Sequence, residues 1–143
     1  MAATPVLPRV HAMVLCDEVE LVPGDEDAFN LVGVKARIRV GSFPYLHPRL
    51  CVFLQATGHE GTASWHLELI QAGTDLELVS TPEQEVDFHG PLEIIPLWWR
   101  IEDCNFPDPG LYYVEVYFGQ KLSCERLLTL SDGGVISNGQ GTR

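Results

Sequence analysis

The residues in this sequence best suited to molecular recognition are aromatic side chains with an arginine among them. Trp98 and Arg100 alternate with apolar neighbours, and Tyr113 and Tyr117 do the same in a later segment. Alternation in a β-strand sends such side chains to the outer face, and these residue types are enriched at binding hot spots. If the two strands lie in one sheet, the four side chains form one patch for a protein or peptide partner. The alternatives are that these rings are covered by a connecting segment or scattered over the surface, or that a sugar stacks on Trp98 and the tyrosines.

Carboxylates form the second set of chemically capable residues. Six of the twenty lie between Asp17 and Asp27. Loop carboxylates gathered at one end of a β-sandwich can hold Ca²⁺, which prefers about six to eight oxygen ligands. The candidate ligands are Asp25, Asp27, Asp103 and Asp108. Acidic loops without EF-hand spacing are more often simply solvated, so calcium is kept as an alternative and no metal ligand is assigned.

The sequence contains no familiar signature of catalysis or cofactor binding. The five histidines form no His-x-His or His-Glu-x-x-His pattern, and no Gly-x-Ser-x-Gly elbow, P-loop or Gly-x-Gly-x-x-Gly loop occurs. We therefore expect no cofactor, no catalytic residue and no enzymatic activity. A cryptic hydrolase is a second alternative, because small β-folds can assemble catalytic groups from distant positions.

Charge and composition narrow the class of partner. The chain has 143 residues, nine Lys and Arg against twenty Asp and Glu, and a formal net charge of −11. Nucleic-acid binding requires a basic face, so we expect no nucleic-acid partner. No apolar run reaches the ~20 residues that span a bilayer, and residues 1–10 lack a secretory signal pattern. These features predict a cytoplasmic protein that does not enter membranes.

The cysteines are interpreted as structural. Their spacing matches neither a zinc ribbon nor a thioredoxin motif, and the four are Cys16, Cys51, Cys104 and Cys124. We expect them to be reduced, mostly buried hydrophobic residues. Two disulfides are the alternative, which a reducing compartment disfavours.

A basic stripe interrupts the acidic sequence. Lys35, Arg37 and Arg39 alternate with apolar residues and share one strand face. Opposite charges across neighbouring strands contribute ~0.2–1 kcal/mol per pair. We therefore expect carboxylates such as Glu68, Glu77 or Glu115 to lie opposite them, with an anion site as the alternative.

Period-two patterning recurs along the chain, and helical patterning does not. Strict alternation over 34–40 and 63–69 predicts half-buried antiparallel strands. Further segments bring the total to about eight strands: 10–16, 50–56, 76–80, 97–102, 111–118 and 121–130. The length suffices for one core. We predict one all-β domain over residues 8–131, a two-sheet antiparallel β-sandwich of the immunoglobulin-like or C2-like kind.

Glycine and proline mark the connections. Pro23-Gly24 and Pro109-Gly110 suit type II turns, and Gly119-Gln120 suits a two-residue II′ hairpin. The segment 81–92 is rich in proline, glycine and carboxylates, which predicts a solvated crossover between sheets. Positions 132–143 lack aromatic residues and predict a disordered tail.

Alternation also predicts the core positions. One face carries Trp99 in one strand and, in a later strand, Tyr112, Val114, Val116 and Phe118. The last strand presents a conflict, because Leu122, Cys124, Leu128 and Leu130 cannot all face inward unless Arg126 does too or a bulge intervenes near 125–127. An inward arginine would need a carboxylate or carbonyl partner.

Several spaced motifs resemble those of a known family. They are His11-Ala12, Cys16-Asp17, Leu31-Val32-Gly33-Val34, Phe43-Pro44, Glu115-Val116, Gly119, Glu125-Arg126-Leu127-Leu128 and, above all, Phe106-Pro107-Asp108-Pro109-Gly110-Leu111-Tyr112. They make residues 10–130 similar to a family of small uncharacterised bacterial β-sandwich proteins, a domain of unknown function. The resemblance implies a β-sandwich and a bacterial cytoplasm, and it implies no catalytic residue. The Pro-Gly-x-Tyr element is also similar to the strand entry of immunoglobulin-like domains.

These observations favour a non-enzymatic interaction or assembly module. Its partner is expected to be a protein or a second copy of the chain, through a sheet face or an unprotected edge strand. The alternative is a calcium- or carbohydrate-binding C2-like domain. The sequence does not identify a small-molecule ligand.

Overall fold

The computed structural model describes residues 7–133, and the regular elements of this range are eleven strands. In chain order they are β1 (Arg9–Cys16), β2 (Glu18–Val22), β3 (Asp25–Val32), β4 (Arg37–Val40), β5 (Tyr45–Thr57), β6 (Glu60–Gln71), β7 (Glu77–Ser80), β8 (Gln84–His89), β9 (Ile95–Phe106), β10 (Gly110–Phe118) and β11 (Lys121–Asp132). Within the described range, no helix has the length and hydropathy needed to cross a membrane. Most of the predicted tail, positions 134–143, lies outside the described residues.

Two sheets enclose the core, and a separate hairpin lies outside them. The smaller sheet has the order β1-β5-β9, and the larger has the order β4-β11-β10-β6-β7 with β8 also paired to β6. Strands β2 and β3 form the hairpin. The predicted two-sheet antiparallel β-sandwich is therefore confirmed, with the parallel pairing of β4 to β11 as a departure.

The core follows the predicted alternation. In β10 the side chains of Tyr112, Val114, Val116 and Phe118 are fully buried. Their partners on β6 follow the same period, so that Val114 lies opposite Leu69 and both face the smaller sheet. Full burial of each such apolar side chain contributes about 1.5–3 kcal/mol. The hairpin predicted at Gly119 is also present, with Phe118 opposite Lys121 and a φ of +62° at Gly119.

Strand β11 has the expected irregularity at a different position, and Arg126 has a carbonyl partner although its side chain is exposed. The register of β11 with β10 shifts between Val116 and Tyr117, whose partners are Cys124 and Leu122. The irregularity therefore lies at 122–124 rather than near 125–127, and Leu122 is 43% exposed instead of inward. Beyond the shift, the Nε of Arg126 donates to the carbonyl oxygen of Met13 at 3.0 Å. This bond ties β11 to the edge of the opposite sheet.

Three sequence interpretations are corrected. The segment 81–92, predicted to be a solvated crossover, contains strand β8. Alternation in β8 buries Phe88 against the core, so the connection between the two sheets is limited to residues 90–94.

Strand β4 begins at Arg37 instead of position 34, because Val34 is exposed. Among the strands of residues 7–133, β4 pairs with β11 and no other, so Glu68, Glu77 and Glu115, which lie on β6, β7 and β10, are not opposite the basic stripe. Lys35 instead pairs with Asp17, Nζ to Oδ1 at 2.5 Å.

Candidate functional site

The β2–β3 hairpin creates the candidate site; its turn was predicted from Pro23-Gly24, but its two strands were not among the predicted strands. Pro23 and Gly24 form its turn, and Gly24 has a φ of +83°, which glycine adopts at little cost. The hairpin lies over the outer face of the smaller sheet. A lone two-stranded hairpin is marginally stable at best in water, so this one depends on what it packs against.

Aromatic rings join the hairpin to the sheet. Val14, Phe53 and Trp98 occupy one row across β1, β5 and β9, on the face turned away from the core. The ring of Phe29 in β3 lies over this row, with ring centroids 5.4 Å from Phe53 and 5.2 Å from Trp98. Tilted and edge-on aromatic pairs contribute about 0.5–1.5 kcal/mol each beyond their buried area. Phe53 is thereby buried, and Trp98 is left 40% exposed at the margin.

The base of the hairpin is tied to β1. The backbone N–H of Asp17 donates to the carbonyl of Val32 at 2.8 Å, and that of Lys35 donates to the carbonyl of Leu15 at 2.9 Å. Gly33 takes a φ of +71°, and a Cβ there would collide with the Asp17 carboxylate. The hairpin therefore leaves and rejoins the sandwich at fixed points.

An apolar groove opens between the hairpin tip and β9. It has a volume of about 600 Å³. Its walls include Leu21, 63% exposed, and the ring of Trp98. The complete lining is Leu21, Val22, Pro23, Gly24, Asp25, Glu26, Phe29, Pro96 and Trp98. We call this surface the Trp98 groove.

Carboxylates border the Trp98 groove at the hairpin tip. Asp25, Glu26 and Asp27 follow one another along the start of β3, and all three are exposed. The backbone N–H of Asp27 donates to Oδ1 of Asp25 at 3.0 Å. Within residues 7–133, none of these carboxylates forms an ion pair. The groove is consequently apolar in its walls and negative at one rim.

A second, more polar cavity lies further along the same face. It has a volume of about 410 Å³ and shares Trp98 with the groove. The carboxylate of Glu18 reaches Arg100 at 2.9 Å and Arg49 at 3.6 Å, and the Glu18 contact raises the pKa of Arg100. Cys51 lies in the wall of this cavity, and burial raises the pKa of its thiol. A thiol in this state is not an activated nucleophile at neutral pH.

The four predicted partner-binding residues do not form one patch. Trp98 and Arg100 are on β9 in the smaller sheet, whereas Tyr113 and Tyr117 are on β10 in the larger sheet. The condition on which the single patch rested is therefore not met. Alternation along a strand determines a face, but it does not determine which sheet the strand joins.

Tyr117 instead belongs to a polar cluster on the outer face of the larger sheet. Its ring stacks on His66 with a centroid distance of 4.9 Å, and its hydroxyl donates to Glu115 at 3.0 Å. Burial, followed by Glu115, raises the pKa of Tyr117 to about 12. The His66 side chain lies between the carboxylates of Glu68, at 2.9 Å, and Glu83, at 2.6 Å.

The four candidate calcium ligands are dispersed. Asp25 and Asp27 lie at the hairpin tip, Asp103 takes a φ of +53° near the other end of β9, and Asp108 accepts a hydrogen bond from Gln71. Among the described residues, no three His, Cys, Asp or Glu side chains are grouped so that they could hold a metal ion.

Comparison with known proteins identifies a family. The model of a family of unknown function, DUF6941, matches residues 11–130, and the chain belongs to that family. The resemblance to a domain family without an assigned activity is thus confirmed. No curated protein matches the sequence.

Solved structures with similar segments include two bacterial glycosidases. A β-glucosidase from Erythrobacter marinus is 16% identical with a TM-score of 0.47, over 67% of this chain and 14% of that one. A β-glucuronidase from Bifidobacterium dentium, complexed with coumarin-3-O-glucuronide, is 12% identical with a TM-score of 0.39, over 88% of this chain and 18% of that one. The chain thus spans less than a fifth of either protein, and likenesses this distant carry no functional argument.

Proposed function

We propose that this domain is a non-enzymatic interaction module that binds a short segment of another protein in the Trp98 groove. The bound segment inserts an aliphatic or aromatic side chain beside Trp98 and places lysine or arginine against the hairpin tip. Arg100, from the same strand, lines the neighbouring polar cavity, which shares Trp98 with the groove, and there it contacts the part of the segment beyond the anchor. The proposal retains Trp98 and Arg100 as partner-binding residues and leaves Tyr113 and Tyr117 outside the site.

The observation that carries the proposal is the placement of Trp98. Trp98 is 40% exposed, yet its ring packs edge-on against Phe29, with the ring centroids 5.2 Å apart, and this contact fixes the orientation of the indole. A fixed, exposed aromatic side chain loses little conformational entropy when a partner binds. Tryptophan is also among the residues that most often dominate binding energy at interfaces.

The charge of the surface supports a basic partner segment. The exposed carboxylates of Asp25 and Glu26 line the groove, Asp27 follows them along β3, and the whole chain has a net charge of −11. A basic segment would be steered to this rim and would gain association rate at low ionic strength. An acidic segment would be repelled.

The compartment and the absence of catalysis are parts of the same proposal. The four cysteines are free thiols, which agrees with a reducing bacterial cytoplasm. Cys51 lies in the neighbouring polar cavity, and burial raises the pKa of its thiol, which disfavours the thiolate that nucleophilic catalysis would need.

Selection from a random peptide-display library tests the proposal because it samples many candidate segments at once. Peptides selected on the purified domain are expected to share an apolar anchor with flanking Lys or Arg. Binding of a labelled selected peptide, followed by fluorescence anisotropy, should weaken at least tenfold in Trp98→Ala. Trp98→Phe should retain more affinity than the alanine variant, because it keeps a ring beside Phe29.

Tyr113→Ala is the matched control, since it removes a predicted aromatic residue from the opposite sheet and should leave affinity unchanged. Asp25→Asn combined with Glu26→Gln should reduce the dependence of association rate on salt. The proposal would be contradicted if Trp98→Ala bound the selected peptide as tightly as wild type does. It would also be contradicted if the selection enriched no peptide at all. If wild type sediments as a dimer and Trp98→Ala sediments as a monomer, the occupant of the groove is a second copy of this chain instead of a separate partner.

A further inference from the structure

Two cysteines face each other across neighbouring strands under the hairpin. Cys16 at the end of β1 is the register partner of Cys51 in β5. They are 0% and 2% exposed and lie on the face opposite the core. Directly opposite residues of an antiparallel pair have Cα atoms about 4.5–5.5 Å apart, within the range of about 4.4–6.8 Å found for disulfides. The backbone therefore places this pair where a disulfide can form without moving a strand.

Glu18 contacts both thiols in the reduced state. The Sγ of Cys16 donates to the backbone carbonyl of Glu18 at 3.5 Å, and the Sγ of Cys51 donates to its carboxylate at 3.8 Å. The polar cavity around Glu18 and Arg100 is lined by Cys51 and not by Cys16. A small oxidant entering this cavity meets the Cys51 sulfur first.

We propose that Cys16 and Cys51 form a reversible disulfide in response to a hydroperoxide. The Cys51 thiol gives its proton to the Glu18 carboxylate, and its sulfur attacks the terminal peroxide oxygen. The O–O bond breaks, the departing oxygen takes that proton and leaves as water or an alcohol, and Cys51 becomes a sulfenic acid. The Cys16 sulfur then displaces the sulfenic hydroxyl, which leaves as water with the Cys16 proton. Two thiols are oxidised to one disulfide, and one peroxide is reduced.

The reaction should be slow but selective. Burial raises the pKa of the Cys16 thiol to about 11 and also raises that of Cys51, so the thiolate is scarce at neutral pH. Cys104 is buried in the core, and Cys124 is in the other sheet, so neither has a facing cysteine. Selectivity therefore comes from the register of β1 with β5.

Peptide mapping of the full wild-type chain tests the pairing directly. Cleavage after lysine and arginine places each cysteine in its own peptide: 10–35, 50–100, 101–121 and 122–126. After treatment of the folded protein with hydrogen peroxide and blocking of residual thiols, peptides 10–35 and 50–100 should appear joined, two hydrogens lighter than their sum. A thiol reductant should separate them.

Variants distinguish the order of events. Cys16→Ala should accumulate a sulfenic acid at Cys51 that dimedone traps, whereas Cys51→Ala should give neither the trapped adduct at Cys16 nor the joined peptides. Cys104→Ala is the matched control for removal of a buried thiol and should form the disulfide as wild type does. The inference is overturned if all four thiols of the folded wild type stay reduced. It is also overturned if the disulfide that forms includes Cys104 or Cys124, so that peptide 101–121 or 122–126 is found in the linked pair.

Discussion

Phe29→Ala should release the β2–β3 hairpin while the sandwich stays folded. The substitution removes the two ring contacts of Phe29, at 5.4 Å to Phe53 and 5.2 Å to Trp98. At about 0.5–1.5 kcal/mol per aromatic pair, the hairpin loses about 2 kcal/mol of docking free energy. A loss of this size corresponds to a roughly 30-fold rise in the population of the undocked hairpin. The hairpin is a separate two-stranded sheet, so its release need not break the ladders of the larger sheets.

Hydrogen exchange followed by mass spectrometry measures this release. Amides in 18–32 should exchange about 30-fold faster in Phe29→Ala, whereas β6 and β10 should keep wild-type protection. Phe88→Ala is the matched control, because this buried phenylalanine belongs to the core and its loss should cost about 3–5 kcal/mol of global stability. If exchange in 18–32 is unchanged, the aromatic row does not hold the hairpin. If protection falls equally in all strands, the hairpin is part of one cooperative unit.

Two further predictions concern the sandwich itself. Tyr112→Phe should lower the free energy of unfolding by about 0.5–1.5 kcal/mol in urea titration, because it removes the hydrogen bond that the buried hydroxyl donates to the Asp108 carbonyl at 2.6 Å. An unchanged free energy of unfolding would refute this role. Burial raises the pKa of the Cys104 thiol from 9.0 to about 12, so the unfolded chain ionises first and stability is lost as pH rises above 9. With a reductant present, Cys104→Ala should lose less unfolding free energy than wild type between pH 8 and about 10.5, and parallel pH profiles would contradict this origin of alkaline sensitivity.

The strand positions were predictable where the two faces of a strand meet different environments. In β6 and β10 one face is in the core and the other is not, so period two is visible in the residue types themselves. Strand β8 shows the same alternation at Val86 and Phe88, but Pro82 and Gly90 at its borders suggested a loop. Turn-forming residues on both sides of this short strand therefore led to a loop prediction.

The site was less predictable than the fold for a physical reason. The hairpin has no core of its own, and its many carboxylates give it the composition of a solvated loop. The hairpin packs on the outer face of β5 and β9, which are distant in sequence, so no pattern within the hairpin itself indicates this contact. The separation of Trp98 from Tyr117 has the same cause, because sheet membership depends on long-range pairing.

The position of the hairpin couples binding to stability. The ring of Phe29 covers Phe53, which would otherwise present a large apolar surface to water. The hairpin supplies seven of the nine residues that line the Trp98 groove, and β9 supplies Pro96 and Trp98. A ligand that bridges Leu21 and Trp98 binds only while the hairpin is docked, so it must stabilise the docked state by mass action. At a concentration of 100 times its Kd, this amounts to about 2.7 kcal/mol, which exceeds the docking energy that Phe29 supplies. A bound partner segment should therefore restore hydrogen-exchange protection of 18–32 in Phe29→Ala. A partner that bound the variant without restoring protection would have to lie on another surface.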